Sequence, residues 1–453
     1  MPVACRDGPA GGTGGPAGGP GRRKGQRVIG SRGTIRTYLA IYGVTTLAQS
    51  LIWGVNTLFL LGAGLSIFQV LLANAGYTAG QVIFEVPTGV IADTLGRRVS
   101  YLIAVVTILA STLLYVYFGA IHAGLFPFLL ASLLLGLGYC FYTGAVDAWL
   151  VDALGATGYD GKIEVVFARG GVIASAAMLI GSVLGGILGS LALWVPYVLR
   201  AVLLAPAFLI GFFWMKELGF TTRRLDLAAV HTQSVAIAKM GLQYGFRDRV
   251  VRPLMFSSFV MGAFGIYGFY SWQKYFLDLL GRNLVWVDGV IAALVALAGM
   301  LGSALVGPLS RRIGKQSTIV IAAVCVQVVA VIGAGSIRVF WVAVPLYLIA
   351  ATAMFAMQPV KLGWLNLHIP SAQRATLISF DALFDEAGGT VGQVGPGYLS
   401  QAMSIPFAWV VGGALQILAL PLLVQARHAS ADTAAPEEGR PPEPLGERDD
   451  TAA

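Results

Sequence analysis

The chain has 453 residues, of which 57% are hydrophobic and only 11% are charged, and its mean hydropathy is +0.76. Soluble domains carry about 25% charged residues, so this composition excludes an ordinary water-exposed fold and predicts an integral membrane protein. The formal net charge of +8 does not indicate a nucleic-acid partner, because the basic residues lie in loops between apolar runs, as the positive-inside rule describes.

The reactive residue types form no catalytic or cofactor pattern. Three cysteines lie far apart in the sequence, and the four histidines have no metal-ligand spacing. The sequence contains no glycine-rich phosphate loop and no dinucleotide fingerprint. It therefore predicts neither an enzyme nor a bound metal or cofactor, and a transporter of this composition would draw its energy from a gradient.

The two ends of the chain differ in composition from the rest. Residues 1–33 are rich in glycine and proline and end in a basic cluster, without the apolar core of a secretory signal. Residues 429–453 are rich in proline, alanine and glutamate. Both ends are predicted to be disordered cytoplasmic tails.

Twelve apolar segments lie between the tails, and each is about long enough to cross a hydrocarbon core of ~30 Å. Backbone groups in lipid must be satisfied internally, so these segments are predicted to be helices. The predicted fold class is an all-α integral membrane protein, with twelve transmembrane helices in two pseudo-symmetric six-helix bundles. The segments are 36–62, 66–93, 98–119, 124–151, 163–190, 193–215, 251–280, 285–309, 316–336, 339–366, 374–401 and 404–426.

The loops predict orientation and domain boundaries. Basic residues crowd every second loop, whereas the alternate loops hold only Arg282 and Arg338, which predicts that both termini are cytoplasmic. A long, mixed-charge linker at 217–250 separates an N-terminal bundle, 34–216, from a C-terminal bundle, 251–428. Its stretch 228–246 is amphipathic and could lie along the membrane surface, although a simple tether is the preferred interpretation.

The two halves repeat each other. The motif GVIADTLGRR at 89–98 recurs as GPLSRRIGKQ at 307–316, after the second helix of each half, and KIEVVFAR at 162–169 matches RATLISFD at 374–381. Internal repeats are typical of secondary transporters, whose substrate sites lie at the repeat interface near the membrane midplane.

The first of these motifs resembles the signature loop of the major facilitator superfamily, with Gly89, Asp93, Gly96, Arg97 and Arg98 at the matching positions. The resemblance covers residues 34 to about 428. Within the superfamily, the chain is most similar to bacterial drug-efflux members. Two features depart from the drug/proton antiporters of that group. Ser132 stands where they carry an arginine, four residues before Gly136-Leu-Gly138, and the glycine-rich stretch 181–189 lacks their proline.

The resemblance implies that Asp93 faces the amino end of the eleventh helix, near Arg374. Unpaired N–H groups at a helix start favour an anion. The predicted role is a latch that holds the bundles together on the cytoplasmic side and opens when they rock apart. The alternative is that Asp93 only caps the loop.

Glu85 lies eight residues before Asp93, about 12 Å deeper at ~1.5 Å per residue. Glu85, Gly89 and Asp93 recur every four residues and share one helical face. An ionisable group at this depth is costly and is a functional candidate by default. Glu85 is therefore a candidate proton carrier. The alternative role is structural, in which a hydrogen bond or salt bridge holds the carboxyl.

Four further charged residues suggest buried ion pairs. Asp147 with Arg169, and Lys361 with Asp381, lie at comparable depth in matching helices of the two halves. An unpaired charge there would cost several kcal/mol, so both pairs are predicted, as structural contacts or as pairs that break on substrate or proton arrival. Asp147, Asp381 and Asp385 are also protonation candidates, Asp385 because neighbouring carboxyls in a low dielectric rarely ionise together.

The resemblance implies that the first, fourth, seventh and tenth helices line a substrate cavity. Aromatic and methionine side chains with a few polar groups suit an amphipathic organic ligand. Many of them could equally pack helices or lie at the membrane interface. The candidates are Gln49, Trp53, Asn56, Tyr142, Tyr267, Tyr270, Met357 and Gln358.

Together these observations predict a monomeric secondary transporter of the plasma membrane, most consistent with proton-coupled export of a small amphipathic organic compound by rocking-bundle alternating access. Its partners would be that substrate, protons and the lipid bilayer. Import or uniport of a metabolite is the alternative, which the missing arginine keeps open. A membrane sensor that binds without transporting is the least favoured.

Overall fold

A computed structural model describes residues 30–219, 227–369 and 374–434. Residues 1–29 and 435–453, and so most of both predicted tails, lie outside the described residues. The described chain is almost entirely α-helical. Its helices are α1 Ser31–Ser50, α2 Asn56–Gly62, α3 Ile67–Leu95, α4 Arg97–Ala120, α5 Leu125–Ala156, α6 Ile163–Leu191, α7 Val195–Trp214, α8 Leu227–Arg247, α9 Val251–Leu280, α10 Val285–Ile313, α11 Gln316–Ser336, α12 Phe340–His368, α13 Arg374–Ala402, α14 Ile405–Leu415 and α15 Ala419–Ala434.

Ten of these helical stretches are long and apolar enough to cross a membrane, counting α14 and α15 as one. The remaining two predicted segments are the broken pair α1 and α2, and α13, which carries three acidic residues in its middle. The predicted fold class, an all-α membrane protein with two six-helix bundles, is confirmed. Helices α1–α7 form one bundle, α9–α15 form the other, and α8 lies between them in the chain.

Close helix contacts inside each bundle depend on glycine. A Cβ added to Gly80 would lie 2.8 Å from the Leu133 carbonyl oxygen, which brings α3 and α5 into backbone contact. In the second bundle, a Cβ at Gly388 would lie 1.9 Å from the Phe259 carbonyl oxygen, which does the same for α13 and α9. Small residues permit such close approach of helix backbones. Because lipid supplies no hydrophobic force between membrane helices, this close packing is what holds them together.

The first predicted transmembrane segment is interrupted between Ser50 and Asn56, and a side chain from the other bundle fills the gap. The Gln273 amide, fully buried on α9, accepts a hydrogen bond from the Thr57 N–H at 2.8 Å and donates one to the Trp53 carbonyl at 2.8 Å. These are the two groups that an unbroken helix would join to each other. Non-helical backbone at membrane depth is tolerated only where protein satisfies it.

The bundles meet on the side of the membrane away from α8, here called the far side; the side of α8 is the linker side. The Thr78 and Thr390 hydroxyls are 2.8 Å apart across the interface, and the Gln393 amide donates to Thr78 at 3.1 Å. Further out, a Cβ at Gly186 of α6 would lie 2.5 Å from the Gly289 Cα of α10. The far side is therefore sealed by backbone contact.

Candidate functional site

A cavity of about 400 Å³ lies between the two bundles. Both bundles line it, with mostly apolar and aromatic side chains and a few polar groups. Six of the eight predicted cavity residues lie on its wall. They are Gln49, Trp53, Asn56, Tyr270, Met357 and Gln358.

The other two predicted cavity residues point elsewhere. Tyr142 is packed in the core of the first bundle, with its ring centroid 6.2 Å from that of Tyr101. Tyr267 is fully buried, and its hydroxyl lies 2.7 Å from that of Ser400. Tyr267 and Tyr270 are three residues apart and leave α9 on neighbouring parts of one side, but only Tyr270 reaches the cavity.

The wall from the first bundle carries a polar network that joins α2, α3 and α7 and was not predicted from the sequence. The Asn56 amide donates to the Asn74 side-chain oxygen at 2.9 Å, and the Tyr197 hydroxyl donates to Asn56 at 2.8 Å. Arg200 of α7 lines the cavity beside this network and is only 2% exposed. The first bundle therefore presents a buried cation to the cavity.

The wall from the second bundle is acidic. Asp385 and Glu386 of α13 both line the cavity, and the buried Glu386 Oε2 has no hydrogen-bond partner. Glu85 of α3 is half-buried and lies close enough to Glu386 for their charges to repel. Three carboxyls from two bundles therefore cluster beside the cavity, and Glu386 joins the proton-carrier candidates.

Lys361 and Asp381 are brought together, as the sequence predicts. The Lys361 Nζ lies 3.0 Å from both carboxylate oxygens of Asp381. The Ser258 hydroxyl donates to Asp381 at 2.5 Å and accepts a hydrogen bond from Lys361. The pair is nearly buried, so each charge is compensated within the second bundle.

Asp147 and Arg169 are not brought together, and the predicted buried ion pair is not formed. Both residues are exposed, and the Asp147 carboxylate accepts a hydrogen bond from the Tyr38 hydroxyl at 3.2 Å. Charges are too costly to face lipid at this depth, so their exposure marks a water-accessible vestibule on the linker side. The similar depth of the two residues in the sequence says nothing about the rotation of their helices.

The signature loop is held within the first bundle in this conformation. Gly96 ends α3 with a φ of +106°, a value that favours glycine. The Glu217 carboxylate then accepts the backbone N–H groups of Arg97 and Arg98, each at 3.0 Å, and so caps the start of α4. The Arg97 guanidinium lies 2.7 Å from the Asp93 carboxylate, which is 64% exposed.

Asp93 therefore pairs with Arg97 rather than with Arg374, which is exposed at the start of α13. A far side that is sealed and a linker side that is hydrated describe a conformation in which a linker-side latch is open. The latch itself stays a prediction, as do the roles of Gly89 and the proton-carrier candidates.

Two bundles that enclose a cavity inside the membrane, and seal it on one side only, define a membrane transport protein rather than an enzyme. Residues 38–392 match the family model of the Major Facilitator Superfamily, and the chain belongs to that family. The resemblance found in the signature loop is thereby confirmed.

Known relatives and structures agree with this assignment. The chain is 24% identical over 367 residues to the class G tetracycline resistance protein of Vibrio anguillarum, covering 77% of this chain and 85% of the relative. It is 25% identical to the class C tetracycline resistance protein of Escherichia coli, covering 79% and 86%. A variant of the nucleoside transporter NupG superposes with a TM-score of 0.70 at 11% identity, over 86% of this chain and 99% of that chain.

Proposed function

We propose that this transporter exports a small amphipathic organic compound across the plasma membrane in exchange for protons, by rocking of the two bundles about the cavity. The observation that carries the proposal is the buried Glu386 Oε2, which has no hydrogen-bond partner, beside Asp385 on the wall of a mostly apolar cavity. The likeness to tetracycline resistance proteins supports the direction of transport.

The acidic wall suggests how coupling works. A buried carboxylate oxygen without a partner is costly, so the Glu386 side chain is more stable at this position when it holds a proton or faces a compensating group. In the proposed cycle, the acidic cluster accepts a proton from the far side and releases it to the linker side. Substrate leaves in the opposite direction.

The orientation follows from the charge distribution. The loops on the linker side hold the clustered arginines and lysines, whereas the far-side loops are nearly free of them. The linker side is therefore proposed to be cytoplasmic, with both termini there. The vestibule around Asp147 and Arg169 would then admit substrate from the cytoplasm.

The proposal is tested by reconstitution into liposomes that contain a pH-sensitive dye. Tetracycline and a panel of amphipathic drugs are added in the presence of a proton gradient, and proton movement is recorded with drug flux. The wild type is expected to couple the two fluxes, and Glu386→Gln and Asp385→Asn are expected to abolish coupling. Asp278→Asn, an exposed carboxyl paired with Lys274, is the matched control.

Uncoupled flux of a compound toward its lower concentration would favour the alternative, uniport or import of a metabolite. One observation keeps this alternative open. Ser132 stands in place of the efflux-type arginine, and its hydroxyl forms a 2.5 Å hydrogen bond with Tyr115, which lines the cavity. No proton movement with any compound, or coupling retained in Glu386→Gln and Asp385→Asn, would contradict the proposed exchange.

A further inference from the structure

Arg200 is the sole charged residue of α7, and it faces the cavity. Arg200 is only 2% exposed, and its Nε has no hydrogen-bond partner. The ion pairs formed among the described residues do not include it. A guanidinium keeps its charge in proteins, so this site holds a buried cation without a compensating anion.

The groups around Arg200 do not supply that anion. The titratable neighbours that act on its charge are four tyrosines, Tyr77, Tyr115, Tyr139 and Tyr197. The Tyr197 hydroxyl donates to Asn56 at 2.8 Å, and the Tyr115 hydroxyl is engaged with Ser132 at 2.5 Å. Two of the four hydroxyls thus have partners elsewhere, and none of the hydrogen bonds formed among the described residues fills the donor fork of Arg200.

A buried, unpaired charge costs several kcal/mol, and none of the ion pairs among the described residues offsets this cost for Arg200. The same guanidinium is well suited to a ligand, because its planar fork binds a carboxylate through two parallel hydrogen bonds. Next to it, Trp53, Phe269 and Tyr270 form an aromatic wall that fits an apolar ring system. A cation and an aromatic wall thus lie together in one cavity.

We infer that the transported compound is an organic monoanion with a flat apolar body, whose carboxylate or similar planar oxyanion binds Arg200. This inference rests on the proposed function, since it takes the cavity as the transport site. The acidic pair on the opposite wall, Asp385 and Glu386, disfavours a second anionic group on the same molecule. The polar contacts of the substrate are therefore expected to be one-sided.

The test is equilibrium binding by calorimetry to the full-length protein in lipid nanodiscs, without any gradient. The probes are biphenyl-4-carboxylate, its neutral methyl ester, and the cationic 4-phenylbenzylamine. The wild type is expected to bind the carboxylate at least about tenfold more tightly than the ester, as a charge-assisted bidentate pair would provide. The amine is expected to bind more weakly than the ester.

Substitution separates this reading from general electrostatic attraction. Arg200→Gln is expected to remove the preference for the carboxylate, and Arg200→Lys, which keeps the charge but lacks the fork, to retain only part of it. Arg311→Gln, which removes an exposed cation from the last turn of α10, away from the cavity wall, is the matched control and is expected to leave the preference unchanged. Arg200→Lys keeps the inference testable even where Arg200→Gln fails to fold.

Equal affinity of the wild type for the carboxylate and the ester would overturn the inference. So would a preference that survives in Arg200→Gln, or an undiminished one in Arg200→Lys. Because binding is measured without a gradient, failure of proton-coupled export leaves this result intact. Conversely, proton-coupled export of neutral compounds without a carboxylate preference would refute the inference and leave the proposed function standing.

Discussion

The far-side seal depends on a glycine that leaves no room for a side chain. A Cβ on Gly186 of α6 would lie 2.5 Å from the Cα and 2.8 Å from the backbone nitrogen of Gly289 on α10. Carbon atoms in contact are separated by about 3.5 Å or more. Gly186→Ala is therefore expected to force the two bundles apart by about 1 Å at this point.

The energetic effect follows from that overlap. The atoms in the way belong to backbone, which cannot rotate aside, so the cost resembles that of core overpacking, about 1 to 3 kcal/mol. At about 1.4 kcal/mol per tenfold, the ratio of closed to open far sides would fall by about 5-fold to about 140-fold. Conformations that separate α6 from α10 do not bear this cost.

The assay is the distance between spin labels on Trp194 and Arg282, which are exposed on the far side of the first and second bundles. The three native cysteines are first replaced. Gly186→Ala is expected to increase the population with the longer distance. The control is Gly171→Ala on the same helix, where an added Cβ meets nothing within 4 Å. Identical distance distributions for the two variants would show that the Gly186–Gly289 contact does not hold the far side closed.

Three further predictions concern buried polar contacts. Gln273→Leu leaves the Thr57 N–H and the Trp53 carbonyl without partners, which costs about 1 to 3 kcal/mol for each buried group. The variant is expected to open the far side in the same label assay, and unchanged distances would contradict this. Lys361→Met leaves the Asp381 carboxylate without its cation and is expected to lower the free energy of unfolding by about 3 to 5 kcal/mol, measured by thermal unfolding. Adding Asp381→Asn is expected to recover most of this loss, and no recovery would show that the ion pair is not the cause. Both carboxyl oxygens of Asp288 are buried without hydrogen-bond partners, so this conformation favours the neutral acid. Asp288→Asn is therefore expected to change the unfolding temperature little, and a large fall would mean that the ionised form is needed.

Much of the architecture follows from the sequence. Apolar length, alternating basic loops and the repeated motif predict twelve segments in two halves, because the bilayer restricts spanning structure to helices. The interruption after Ser50 was not predicted, because the side chain that completes it, Gln273, lies more than 200 positions away in the sequence. A break that a distant residue satisfies leaves no local signal.

The site was predictable in part. Gln49, Trp53 and Asn56 of the first predicted segment do line the cavity. Rotation about each helix axis decides the rest, which is why Tyr267 turned into the second bundle and why Asp147 and Arg169 do not meet. Arg200 did carry a signal, a single charge within an apolar span, but its meaning required the position of the cavity.

Alternating access requires that one cavity be exposed in turn to the two sides of the membrane. It is tested most directly by a single cysteine at Gln358, which is exposed on the cavity wall, in a background without the native cysteines. An impermeant thiol reagent is applied separately to each side of oriented proteoliposomes. We expect labelling from the linker side at rest. We expect labelling from the far side once a proton gradient and substrate drive turnover, or once Gly186→Ala opens the seal. Labelling from one side only under every condition would contradict it.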